Sequence, residues 1–170
     1  MPTASRSRTI AAPPEELWQL IGDPHHLPRW WPRVIRVEDV EGGAFTEVFT
    51  TSKGKYVRAD FDLVHRDEGQ WTLRWAQRLE GTPFSRVLRS AETEVRLTPS
   101  VAGEHPSGPD RSGGNGAAAA ATPASPATEV TIEVRQSPAG FFAHFGGFMI
   151  RRAATHTIDE ALDGLARISG

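Results

Sequence analysis

The sequence predicts an α+β fold: one short strand, two short helices, six further strands and a helical C-terminal segment. Three observations predict it. Runs of β-branched and aromatic residues with partial period-2 alternation fill residues 34–98 and return at 129–135, and short glycine-bearing hairpins join several of them. Between the first strand and this region, Pro13-Pro14 and Asp23-Pro24 each carry a helix-start signal. From Ala139 to Ser169 the apolar spacing becomes that of a helix.

In chain order, Ser5–Ala11 is a short strand ended by Pro13-Pro14. Proline suits the first turn of a helix, and Glu15-Glu16 place negative charge at its positive end. Leu17, Trp18, Leu20 and Ile21 share one face, and Gly22 closes the helix. Asp23 caps a second short helix with Pro24 as its first residue, reaching about Arg29 because Pro28 and Pro32 bracket Trp30-Trp31. Strands follow at Val34–Val40, Ala44–Thr51, Lys55–Arg66, Gln70–Glu80, Ser85–Thr98 and Glu129–Arg135. In the helical segment, Phe141, Phe145, Phe148 and Met149 cluster on one side, whereas Ile158, Ala161, Leu162, Leu165 and Ile168 lie on another. Gly146-Gly147 weakens the first part, and Thr157-Ile158-Asp159-Glu160 fits a capping box. One kinked helix and two consecutive helices are both allowed.

The stretch 100–127 interrupts this pattern. Its 28 residues include 8 Ala, 5 Gly, 4 Pro and 4 Ser, with no aromatic residue. Such a segment buries too little apolar surface to offset the entropy of ordering it. Residues 128–170 are too few to form a core of their own. The expectation is therefore one domain over residues 1–170, with 100–127 a disordered low-complexity insertion in the hairpin between the last two strands.

Composition excludes several classes of function. With 19 basic and 21 acidic residues, formal charge −2, no broad electrostatic footprint for nucleic acid or anionic membrane is expected. The chain has no cysteine, hence no disulfide, thiolate metal site or cysteine nucleophile. No apolar run follows the basic start, and no stretch approaches a membrane span, so a soluble cytoplasmic protein is expected. Gly113-Gly114-Asn115-Gly116 lacks the strand before it and the Lys-Ser/Thr after it that a phosphate loop needs. His25 and His26 are adjacent and point about 100° apart, which does not suit one metal ion. Neither metal nor cofactor is expected, and oligomeric state is not readable.

The phrase Ile10-Ala-Ala-Pro-Pro-Glu-Glu-Leu-Trp18, followed by Asp23-Pro24 and by Leu27-Pro-Arg-Trp-Trp-Pro32, resembles the opening of the START-like helix-grip (SRPBCC) superfamily. It is most similar to the polyketide cyclase/dehydrase and lipid-transport branch. The resemblance covers most of 6–99 and 128–168. It implies a curved antiparallel sheet of about seven strands around a long C-terminal helix, with an apolar cavity between them. It also implies that Phe141, Phe142, Phe145 and Met149 face a ligand while the Ile158 stripe packs on the sheet.

Alternation assigns inward faces to Phe45, Glu47 and Phe49; to Val57, Ala59, Phe61 and Leu63; to Trp71, Leu73, Trp75, Gln77 and Leu79; and to Val87, Arg89, Ala91, Thr93 and Val95. An aromatic-lined pocket with a few polar groups is the usual recipe for a small-molecule site. The same aromatics also serve simply to fill a small core. Glu47, Gln77, Arg89 and His144 are the polar members of apolar faces. A cavity arginine holds a ligand carboxylate or enolate, and a glutamate or histidine shuttles a proton. The candidate ligand-binding residues are Glu47, Phe49, Phe61, Trp75, Gln77, Arg89, Phe141, His144, Phe145 and Met149, and no catalytic residue is assigned. Trp30-Trp31 either gate the pocket or anchor the short helices on the sheet.

Binding of a small hydrophobic molecule needs only the cavity and is the favoured reading. A cyclase, aromatase or dehydratase needs converging polar groups there, and a protein-interaction module needs an exposed motif. Two or more mutually hydrogen-bonded groups among Glu47, Gln77, Arg89 and His144 would favour the enzyme.

Overall fold

A computed structural model describes residues 3–101, 125–140 and 146–170. Seven strands form one antiparallel sheet: β1 (Thr3–Ile10), β2 (Val34–Glu41), β3 (Ala44–Thr50), β4 (Tyr56–Asp67), β5 (Thr72–Gln77), β6 (Leu88–Val101) and β7 (Pro126–Pro138), in spatial order β1-β7-β6-β5-β4-β3-β2. The strands β2 to β7 are a meander, and the chain's first strand closes beside its last. Between β1 and β2 lie α1 (Pro14–Ile21), a 3-10 turn (Pro24–His26) and α2 (Leu27–Trp30), and α3 (Gly147–Ile168) ends the chain. Fold class and element order are those expected. Among the described residues, no helix is long and apolar enough to cross a membrane.

Local chemistry sets the entry to this fold. Pro14 opens α1 with Glu15 and Glu16 in the first turn, and the Gly22 N–H donates to the Trp18 carbonyl at its end. The Asp23 carboxylate then accepts from the His25 N–H at 2.9 Å and starts the 3-10 turn. Arg66 of β4 donates to the Gly22 carbonyl at 2.9 Å and stacks its guanidinium over Trp18, tying the end of α1 to the sheet.

The core lies between the sheet and the helices. Leu17 of α1, Ile158 and Leu165 of α3, Val95 of β6, and Val130 and Ile132 of β7 are fully buried. Ion pairs Arg8–Asp163 and Arg6–Asp159 run from β1 to α3. The buried Thr128 hydroxyl donates to the Ala12 carbonyl at 2.8 Å. Elsewhere on the sheet Glu94 accepts from Arg74 at 2.7 and 2.9 Å and also from Arg96. Burial pushes the Glu94 carboxyl up, but the arginines outweigh it and hold the group below its usual range.

Several boundaries differ from expectation. The strand β5 is shorter than 70–80, because Trp71 takes a left-handed backbone (φ 50°) and a turn with Thr82 N–H donating to Leu79 follows. A 3-10 turn at Pro83–Arg86 occupies the start of the predicted 85–98 strand. At the other end β6 and β7 run further than predicted. Ser100 pairs with Ala127 and Val101 with Pro126, so the hairpin ladder enters the 100–127 stretch from both sides. The disorder expected of residues 102–124 lies outside the described residues. The helix α3 is one element from Gly147 to Ile168, and Thr157 lies within it rather than restarting it.

Candidate functional site

A cavity of about 220 Å³ lies between the sheet and α3. Cross-strand register builds its floor. Phe61 of β4 pairs with Gln77 of β5, Trp75 pairs with Thr93 of β6, Thr93 pairs with Val134 of β7, and Ala91 pairs with Gln136. Ala153, Ala154 and Thr157 of α3 line it from above, and Trp31 lines it from the segment after α2. Small side chains at residues 91, 153 and 154 leave the volume, and the indoles and Phe61 give it apolar walls.

Glu47 is the unusual member of this lining. It sits on β3 opposite Ala59, is 4% exposed, and its Oε1 has no hydrogen-bond partner among the described residues. Burial pushes its carboxyl up to about 8, so the group is chiefly protonated and uncharged at neutral pH. An unpaired buried polar group costs about 1–3 kcal/mol, so the fold retains Glu47 at a cost. Gln77 lines the same cavity without a hydrogen bond to Glu47.

The structure thus brings together Glu47, Phe61, Trp75 and Gln77 of the predicted set. Phe49 is partly buried, with its ring centroid 6.4 Å from that of Phe84, and does not line the cavity. Arg89 is exposed, contrary to expectation. A bulge between Leu88 and Ser90 interrupts the ladder there and breaks the alternation that placed Arg89 inward. Met149 is 73% exposed and Phe148 74%, so the predicted ligand-facing side of the helix is turned to solvent at these residues. The cause is continuity. At 100° per residue, Met149 stands opposite the buried Ile158 on one unbroken helix. Phe141, Phe142, His144 and Phe145 lie outside the described residues. The lining residues outside the candidate set include Thr93, although on an assigned inward face, and Gln136, which continues the alternation of Val134 past the predicted strand end.

Trp30 is part of the core, and Trp31 lines the cavity. Trp30 is buried and packs edge-on to Trp31, whose ring in turn meets Trp75 edge-on at 5.9 Å. A second cavity, about 240 Å³, lies between the α1–α2 region and β2 to β5, lined by Ile21, Leu27, Leu63 and Leu73 with Arg66 at its side. The two cavities share Trp75. Phe45 lines one and Phe61 the other, and their rings stack at 5.3 Å. Trp75 and this stack form a partition. Among the described residues, no group of three or more His, Asp or Glu side chains is placed to hold a metal ion.

The profile of the family described as polyketide cyclase/dehydrase and lipid transport matches residues 1–170. No curated protein matches the chain by sequence. Solved structures share the fold at low identity. The protein XoxI from Bacillus cereus superposes with a TM-score of 0.67 at 16% identity, covering 99% of this chain and 96% of that one. A START superfamily protein from Mycobacterium smegmatis gives 0.67 at 12% identity, with 98% and 96% covered. The di-domain ARO/CYC protein BexL gives 0.68 at 18% identity, with 98% of this chain covering 46% of that one.

Proposed function

Because the chain belongs to the polyketide cyclase/dehydrase and lipid transport family, we propose that it binds a small hydrophobic molecule, a lipid, isoprenoid or polyketide-like compound, between the sheet and α3. The observation that carries this reading is the cavity itself, walled by Trp31, Phe61 and Trp75 and holding polar groups that are not coupled to one another. That is the composition of a site that binds by apolar burial and orients by a few contacts. Native mass spectrometry after incubation with fatty acids, isoprenoid alcohols and polycyclic aromatic ketones should find a one-to-one adduct. Ala91→Phe, which fills the cavity from β6, should lose it. Absence of any adduct, or equal binding by the filled variant, would remove the reading.

A cyclase, aromatase or dehydratase acting in the same cavity is the second reading, and Glu47 is the observation that favours it. A carboxyl with a pKa near neutrality can both give and take a proton. Turnover of a bound poly-β-ketone that disappears in Glu47→Gln while the adduct persists would decide for the enzyme.

A further inference from the structure

Glu47 is a buried carboxyl whose Oε1 finds no hydrogen-bond partner among the described residues. Its cross-strand neighbour on β4 is Ala59, and Phe61 follows two residues along that strand. A carboxyl seated among such groups is satisfied by something that enters the cavity. In its neutral form it has one O–H to donate. An anionic acceptor would bring a second desolvation cost into an apolar space. A ligand hydroxyl would bring an O–H of its own to be satisfied. A carbonyl oxygen accepts and brings no unsatisfied donor.

We propose that Glu47 is the polar recognition point of the cavity, donating a hydrogen bond to a ketone or ester carbonyl of an otherwise apolar, uncharged ligand. This rests on the reading of the cavity as a ligand site. The contact selects uncharged carbonyl compounds over hydrocarbons of the same shape, and it weakens as Glu47 ionises. Among the described residues, Glu92 of β6 is the other titratable residue lining this space; the facing parts of β4, β5, β7, α3 and residue 31 contribute none. Arg33, His156 and Glu160 line an adjoining surface depression beyond Ala153 and Thr157.

The test compares 2-acetylnaphthalene with 2-ethylnaphthalene, which share a ring system and differ in the carbonyl oxygen. Affinities come from isothermal titration, and location comes from amide chemical-shift mapping. At pH 6 the full chain should bind the ketone about five- to tenfold more tightly, one hydrogen bond's worth. Glu47→Gln, whose amide still donates, should keep the preference, whereas Glu47→Leu should bind both probes equally. Raising the pH to 9 should erode the preference in the parent and not in Glu47→Gln, which separates Glu47 from Glu92, His156 and Glu160. Equal binding of both probes by the parent, or a preference that survives in Glu47→Leu, overturns this inference and leaves the cavity reading standing. Binding of neither probe, or shifts mapping away from the cavity, takes both down.

Discussion

Gly164 of α3 lies directly against the backbone of Trp30. A Cβ added at residue 164 would stand 2.9 Å from the Trp30 Cα and closer still to its carbonyl oxygen. Backbone on both sides leaves no rotamer to relieve the clash. Gly164→Ala should therefore destabilise by about 2 kcal/mol or more, the upper range of overpacking, although alanine recovers about 1 kcal/mol of helix propensity. Urea denaturation should show a lower midpoint with an unchanged slope. An equal or higher midpoint would mean that α2 and α3 are not locked together as described.

Glu47 makes stability fall as pH rises. Its carboxyl moves from an ordinary 4.5 to about 8 in the fold. Between those values the folded chain keeps a proton that the unfolded chain releases, so unfolding becomes easier with increasing pH. By pH 7 the loss is roughly 3 kcal/mol at 1.36 kcal/mol per unit. Glu47→Gln does not titrate, so its stability relative to the parent should improve by about that much between pH 4.5 and pH 7. A constant difference across the range would show that the carboxyl is not held neutral.

Glu94 has the opposite sign. Its folded pKa lies below the ordinary 4.5, so its contribution is complete above 4.5 and is lost as pH falls through the lowered value. Glu94→Ala should cost about 1.5–3 kcal/mol near neutrality, the range for charged hydrogen bonds, and progressively less as pH falls below the ordinary 4.5. Because Arg96 is half exposed, added salt should narrow the gap. A variant as stable as the parent at pH 7 would show that the arginines gain nothing from this carboxylate.

Joining Val101 to Ser125 through a short glycine-containing turn, in place of 102–124, should leave the fold intact. The β6–β7 ladder pairs up to Val101 and Pro126 without it. Loop closure changes by only about 0.6 kcal/mol per doubling of length. A shift in midpoint corresponding to less than about 1 kcal/mol, with ligand affinity retained, is the expected result. Loss of cooperative unfolding would assign the segment a structural role.

Period-2 alternation made the sheet legible. Glu47, Phe61, Trp75 and Gln77 were placed on inward faces by spacing alone, because β3, β4 and β5 hold their register through these residues. Arg89 failed where the ladder itself is irregular, and a bulge leaves no mark in a pattern of apolar and polar residues. Met149 failed for a different reason. Its apolar character suggested a second inward phase, yet the Ile158, Ala161 and Leu165 stripe sets the rotation of the whole helix. That Glu47 Oε1 finds no partner among the described residues was invisible in sequence, because it depends on which side chains the other strands bring to one place. The pairing of residues 100–101 with 126–127 was hidden too, since backbone hydrogen bonds extend a ladder irrespective of side-chain hydrophobicity.

The partition has a consequence for size selection. Trp75 is shared by two chambers, each about the size of a small ring system. A large side chain at residue 75 divides the inner face into two short berths, and a small one would open them into a single long berth. On the proposed reading of the cavity as a ligand site, this indole is a length gauge, and the longest occupant is set at a position whose first duty is to pack the core.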